Sequence, residues 1–454
     1  MSLLPALVDT AVREVRMHTY EVPPHLVEPL DMAQKQGICT RARHLHPWIN
    51  LERRIWSLLP SAVWTDDPDQ ATIHVVPHAY MDHHCINNAK LSRRYLKEGL
   101  VEMLKYIVYA QPYYNRSGGH DHVVVSLFEN GPLCDCTMRM ALADDNYSWA
   151  FGVFMSMMKV GHWAHHDQLM YGWRAGFDIA MPQFGSVPES FGPFPPAPPR
   201  STWQEIVQQK RTSFGFSGSY WGTAVTCDAI DKSKPPDSLF AAHTCGCSSG
   251  VRGYLKGYMS KSCNSINATP TSRCSGMSAA MGSFWYALCP AAWACWSSRL
   301  YHAIDRVVVP VIMANGAIQP FEDLLDWHSF SVTLDTDPMV TNHSAAQLEA
   351  LHEGADDVRF FCADCPTCTN CTRLPLVKRL RALEQVRSWF LYNGTWPYNV
   401  MGLFVLELHC RQVHLKRDGD AVCKRYHAHQ HALRGRSESG IGRLHKQVAQ
   451  APSW

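Results

Sequence analysis

The chain has 454 residues, 46% of them apolar and 18% charged, with a formal net charge of +2. That is ample material for a large core, and it leaves no electrostatic case for a nucleic-acid partner. No apolar run reaches the roughly 20 residues a membrane helix needs, and the start, Met1–Thr10, is too short and lacks the basic lead of a secretion signal.

Seventeen cysteines argue for an oxidising, lumenal compartment. The Asn-x-Ser/Thr triplets that open at Asn115, Asn146, Asn267, Asn342, Asn370 and Asn393 agree. A cytosolic protein with many inert thiols is the alternative.

Arg13–Pro24 alternates Val15, Met17 and Tyr20 with polar residues and stops at prolines, which predicts an opening strand. Ile73–Val76 predicts a second strand, stopped by Pro77. From Leu91 to Tyr109, Leu96, Leu100, Leu104 and Ile107 recur at helical spacing. Next, Tyr113–Val125 crowds Asn115, a Gly118-Gly119 turn with positive φ and His120-Asp121-His122 onto the mouth of a strand expected from His122 to Phe128. Phe177–Pro182 is another short buried strand. Six prolines in Val187–Arg200 predict a semi-rigid extended spacer. It divides the chain into an α/β domain over 13–186 and a second over 201–410.

In the second half, Arg211–Ser219 reads as a strand entering a Gly-Ser loop. Phe284–Pro290 is apolar and ends at proline. Ser297–Ile304 predicts a short helix capped by Ser297 or Ser298. A strand over Val307–Met313, a helical turn over Pro320–Trp327 and a strand over Phe330–Leu334 follow. Such alternation with continuously apolar strands predicts a parallel sheet covered on both faces. Ligands then bind outside the carboxyl ends of the strands, here near Gly218, Pro290 and Asn315, where helix amides suit a phosphate. Leu376–Tyr392, led in by Pro375, and Tyr398–His409 predict helices. Residues 411–454 form a basic, His-rich tail expected to be disordered.

Cys362, Cys365, Cys368 and Cys371 recur at strict three-residue spacing. A disulfide-stapled loop is the first reading and a structural zinc the second. The histidine-rich segments Met81–Cys85 and His162–Met170 read as solvated or hydrogen-bonded rather than metal-ligating, so no metal site is assigned.

The blocks "TDDPDQATIHVVPHAY", "YYNRSGGHDHVVV", "GFDIAMPQF", "FGFSGS", "SSGVR" and "GSFWYALCP" through "DWHSFSV" stand in one order. In that order the chain resembles the exostosin-like glycosyltransferases, over roughly Arg16 to Cys410. The resemblance implies two Rossmann-like domains facing across a cleft, the GT-B arrangement. It implies an enzyme of hexosyl or glycuronosyl transfer, inverting and needing no metal or other cofactor. The sugar passes from a nucleotide-sugar donor, UDP-linked, on the second domain to a glycan or glycoprotein acceptor on the first. It further implies a membrane-associated protein of the Golgi or endoplasmic reticulum lumen, although no anchor helix is present in the sequence, and assembly alone or with related transferases.

On the donor side, matching positions are Arg299 as a diphosphate clamp at a helix start, with Ser298, His302, Gly218, Ser219 and Asn315 around it. His302 replaces an acid and Asn315 an Asp; Val307-Val308 replaces a small Gly-Cys pair, and a basic residue expected after Gly218 is missing. Arg211, Arg252 or Lys256 is in a position to compensate. These departures keep a second reading open: a catalytically inactive member serving as a partner subunit or glycan-binding module. For the acceptor hydroxyl, Asp121 or His122 is the candidate general base, at most one of them facing the cleft. Against that stands a bracing role, with Asp121 and Arg116 holding the turn and Asn115 capping it.

Overall fold

A computed structural model describes residues 4–26, 55–77, 101–125, 148–161, 173–174, 176–182, 210, 212–215, 282, 284–291, 297, 299–314, 316–334, 341–362, 369–392 and 394–415. The Pro-rich segment 187–200, the histidine-rich segments, Ser298, Gly218, Ser219, Arg252 and Asn315 lie outside these residues.

The described chain opens with helix α1 (Leu4–Glu14), which takes in Arg13 and Glu14 from the stretch expected as a strand. Its buried positions, Leu4, Val8 and Ala11, recur at spacings of four and three. Strands β1 (Met17–Thr19) and β2 (Ile73–Val75) follow, then α2 (Val101–Lys105), whose last turn widens into a π-helical segment, Tyr106–Ala110. Short helix α3 (Tyr113–Ser117) leads into β3 (His122–Val125). Gly118 and Gly119 turn between them at φ 63° and 88°, as the doublet predicts. Helix α4 (Ser148–Ser156), β4 (Met158–Gly161) and β5 (Ile179–Ala180) complete a five-stranded parallel sheet in the order β1-β2-β3-β4-β5.

The second sheet is also parallel, in the order β6-β7-β8-β9: β6 (Thr212–Gly215), β7 (Phe284–Pro290), β8 (Val309–Met313) and β9 (Val332–Thr333). Helix α5 (Arg299–Asp305) connects β7 to β8, and α6 (Trp327–Phe330) precedes β9. Every residue of β2, β3, β4, β7 and β8 is buried, so both faces of each sheet are covered.

Four helices close the described chain: α7 (Thr341–Cys362), α8 (Thr369–Arg373), α9 (Pro375–Val386) and α10 (Val400–Leu415). Pro375 occupies the first turn of α9, where its missing N–H costs nothing. A disulfide joins Cys362 to Cys371, with Cα atoms 5.1 Å apart. It is the stapled loop of the first reading; Cys365 and Cys368 lie outside the described residues.

Helix α10 starts at an Asn399 cap, whose Oδ1 accepts the amides of Met401 and Gly402 at 3.0 and 3.2 Å. It runs to Leu415, so the expected boundary at 410/411 falls inside a helix, and the apolar 400–411 stretch keeps going in helical form. Residues 400–411 are all buried, which a helix apolar on every side requires. The helix packs along α1 and touches β5, and Phe404 meets Trp56 at 6.0 Å. Tyr392 Oη donates to the Pro182 carbonyl at 2.6 Å, a second tie back to the β5 exit. Among the described residues, no helix is long and apolar enough to cross a membrane.

Gly402 lies between the loop that leads into α10 and helix α1. A Cβ there would lie 1.6 Å from the Pro397 carbonyl oxygen and 3.1 Å from Val8 Cγ1. Because the nearest obstacle is backbone, it cannot rotate away. Gly402→Ala is expected to cost about 3 kcal/mol, read as a lowered urea midpoint at unchanged slope.

Candidate functional site

Strand β7 ends at Pro290, and its connection to β8 brings helix α5 to the carboxyl end of the second sheet. Arg299 is the first residue of that helix. Its guanidinium donates to Ser297 Oγ at 3.2 Å, and the Ser297 carbonyl accepts the Leu300 amide at 3.0 Å. The Cys289 thiol, near the end of β7, is pushed up to about 12 by burial, against the pull of the Arg299 charge. Arg299 thus opens the helix that follows β7 in the chain. Helix α5 has only seven residues, so its dipole is slight and the cation is the main positive feature of this corner.

His302 lies one turn further on and is half-buried. Burial pushes its imidazole down to about 4; Asp305 opposes this, while Arg299 and Arg306 add to it. The ring is neutral near pH 7 and accepts through one nitrogen, unlike the acid it replaces.

Val307 and Val308 stand at the amino end of β8, behind α5 rather than over the carboxyl edge. The Val307 amide bonds the Ile304 carbonyl at 3.2 Å and the Val308 amide bonds the Ala303 carbonyl at 2.9 Å. This double closure puts Val307 at the helix-ending position, with φ 52°. A β-branched residue is strained there, and glycine is the residue that fits. The small residue expected at this place thus serves the turn, and its replacement by valine falls at the amino end of β8.

One acid was missed by the sequence reading, which assigned Pro320–Trp327 only as a helical turn. Glu322 follows the carboxyl end of β8, and its Oε2 accepts the Gln319 amide at 2.9 Å. Burial pushes its carboxyl up to about 8; that amide opposes the shift, and Asp323 and Glu407 reinforce it. A carboxylic acid kept neutral near pH 7 can donate a hydrogen bond. The available signal was a lone acid pair, Glu322-Asp323, between Phe321 and Leu324 just past a buried strand.

In the first sheet, Asp121 and His122 stand where β3 begins. That is the amino edge, opposite the edge at which ligands sit in open parallel sheets. His122 is fully buried and both ring nitrogens are engaged. Nδ1 donates to Asp121 Oδ1 at 2.6 Å, and Nε2 takes a short hydrogen bond from the Tyr20 hydroxyl. The expectation that one of the pair opens onto a cleft is corrected here for His122: an enclosed ring with both nitrogens committed does not reach an acceptor hydroxyl. Asp121 keeps 28% side-chain exposure and also takes a short hydrogen bond from Ser117 Oγ. Burial works to raise its pKa, but the bonds from His122 and Ser117 outweigh it and hold the carboxyl below its usual range. The bracing role also takes different partners from those expected. Arg116 pairs with Asp69 at 2.8 Å rather than with Asp121, and the Asn115 amide donates to the Val108 carbonyl at 3.5 Å.

Behind this pair lies a ladder that sequence reasoning missed. His18, His74 and His122 are register partners on β1, β2 and β3. Ring centroids are 6.2 Å apart between His18 and His74, and 5.1 Å between His74 and His122. Tyr113 stacks on His74 at 5.0 Å and Tyr20 on His122 at 5.5 Å. His74 and His122 stack, while His18 meets His74 edge-on, and among the described residues no group of three or more His, Cys, Asp or Glu could hold a metal. One His in each of three short apolar strands was the signal; register, which is non-local, made it a ladder.

Two parallel α/β sheets with a cation at the carboxyl end of the second define a scaffold consistent with GT-B-like glycosyltransferases. The family model of the Exostosin GT47 domain matches residues 12–347, and the chain belongs to that family. It is similar to a probable glucuronoxylan glucuronosyltransferase of Arabidopsis thaliana, 22% identical over 282 residues, 61% of this chain and 53% of that protein. A probable beta-1,4-xylosyltransferase of the same plant is 40% identical over 50 residues, 11% of this chain and 12% of that protein. A probable glucuronosyltransferase of Oryza sativa subsp. japonica is 40% identical over 50 residues, again 11% and 12%. The chain spans about half the length of the first of these relatives.

The ladder makes a pH-dependent contribution. His74 is pushed from 6.5 down to about 4, first by burial and then by His122, against the pull of Asp121. Between those values the unfolded chain binds a proton that the folded ring refuses. The contribution is complete above about pH 6.5 and is lost as pH falls toward 4, by about 3 kcal/mol at most. Urea midpoints taken across that range should fall steeply in the native chain. They should fall less in His74→Phe, which keeps a flat ring in the stack and removes the titration.

Proposed function

We propose that this chain is a glycosyltransferase that takes a sugar from a nucleotide-sugar donor, UDP-linked, and passes it to a glycan or glycoprotein acceptor with inversion. The donor diphosphate lies at the carboxyl end of the second sheet. The acceptor hydroxyl attacks the anomeric carbon in line, the bond from that carbon to the diphosphate breaks, and a base takes the hydroxyl proton. Arg299 offsets the charge that builds on the leaving diphosphate. Glu322, whose carboxyl burial pushes up to about 8, is a second candidate contact, through a hydroxyl of the donor. The names of the plant relatives favour a pentose or hexuronic-acid sugar.

The observation that carries this reading is the place of Arg299 at the start of α5, the helix that follows β7 in the second parallel sheet. Family membership across residues 12–347 supports it. A lumenal location goes with it, supported by the Cys362–Cys371 disulfide, since such bonds persist in oxidising compartments.

A thermal-shift panel of nucleotides and nucleotide sugars tests the proposal. UDP or a UDP sugar should raise the melting temperature, by the equivalent of about 2.7 kcal/mol at a hundredfold excess over Kd. Arg299→Ala should weaken that binding about tenfold to a hundredfold, the worth of one charge-assisted contact. A flat panel would instead favour the catalytically inactive reading.

A further inference from the structure

Asn115 opens the triplet Asn115-Arg116-Ser117, a form that accepts an N-linked glycan on a secretory-pathway surface. Such triplets also arise by chance, and the structure sorts them. Asn115 on α3 and Asn370 on α8 are exposed, and the side chains of the other four lie outside the described part. Asn370 is followed by Cys371, which is buried and locked to Cys362. Asn115 has a different neighbour. Its Nδ2 lies 3.5 Å from the Val108 carbonyl, in the middle of the π-helical segment. The next residue, Tyr109, is 76% exposed, and its ring lies 6.0 Å from Trp149. An aromatic ring left in water one residue along the chain from the carbonyl that the Asn115 amide contacts is a surface that the apolar face of a sugar ring covers well.

We propose that Asn115 carries an N-linked glycan whose first sugar lies on the Tyr109 ring. The co-reactant is an oligosaccharide held on a lipid diphosphate. The Asn115 amide nitrogen attacks its anomeric carbon, and the new N–C bond forms as the C–O bond to the diphosphate breaks. The lipid diphosphate leaves with the electron pair, and the amide gives up one proton. A glycosylated amide keeps its other N–H, so the contact with Val108 survives. In the folded chain Ser117 Oγ donates to Asp121 and accepts from the Gly119 amide. The triplet is therefore read before this turn closes. This inference goes beyond the transferase reading and does not depend on it. It needs only lumenal folding, of which the Cys362–Cys371 disulfide is an independent mark.

The test uses the full chain delivered to the secretory pathway of a eukaryotic cell by an added leader. N-glycosidase digestion in heavy-oxygen water is followed by peptide mapping. The Asn115 peptide should return as labelled aspartate, and Asn115→Gln should migrate faster by one glycan. Tyr109→Ala should keep the glycan but lose the difference in melting temperature between glycosylated and enzyme-stripped protein. An unlabelled Asn115 peptide overturns the site. A labelled peptide with the melting difference intact in Tyr109→Ala overturns the stacking. Neither result bears on nucleotide binding, which the thermal-shift panel reads separately.

Discussion

A helix buried on every side has to be covered on every side, and α10, apolar from Val400 to Leu406, imposes that demand on this protein. Val400, Met401, Leu403, Phe404, Val405, Leu406 and Leu408 are all fully buried. Each large side chain of this kind contributes about 1.5–3 kcal/mol by leaving water. Helix α1 supplies part of the cover, although it lies almost four hundred residues earlier in the chain. The two ends of the described chain are thereby joined against the first sheet. Arg411, on the same helix, pairs with Glu407 at 2.8 Å and lies 3.7 Å from Asp323, beside Glu322. One helix thus links the packing of the first sheet to the loop that follows β8.

The two edges of the sheets hold different chemistry. At the amino edges, buried polar groups are tied to one another. Asp121 and His122 bond each other, Ser117 and Tyr20. Lys159 pairs with Asp178 at 3.1 Å, and Asp178 also takes the amides of Lys159 and Arg174. Lys210 donates to the Val307 carbonyl at 3.0 Å. Burial pushes Lys159 down to about 8, with Asp178 opposing, and Lys210 down to about 7. Groups satisfied in this way stabilise the arrangement they sit in, and removing one partner leaves a buried charge exposed to the full cost of desolvation. In the second sheet, Arg299 and His302 lie on the helix that follows β7 and Glu322 lies past the end of β8; burial pushes His302 down to about 4 and Glu322 up to about 8.

Local pattern determined much of this. Continuous apolar runs marked β7 and β8, the glycine doublet marked the turn before β3, and Pro375 marked the start of α9. Each depends on neighbours a few residues apart, which the sequence displays directly. The order of strands within each sheet follows the chain, so topology was also close to the surface of the sequence.

Tertiary structure decided the rest. Direction along a parallel strand separates the amino from the carboxyl edge, and only the assembled sheet puts His122 at the former and Arg299 at the latter. The histidine ladder requires the register of three strands drawn from more than a hundred residues of chain. The enclosure of α10 by α1 requires both ends to meet, and the burial that pushes the Glu322 carboxyl up comes from packing that no local pattern displays. Contacts between distant residues leave no periodicity to read, because their partners are chosen by packing and not by spacing.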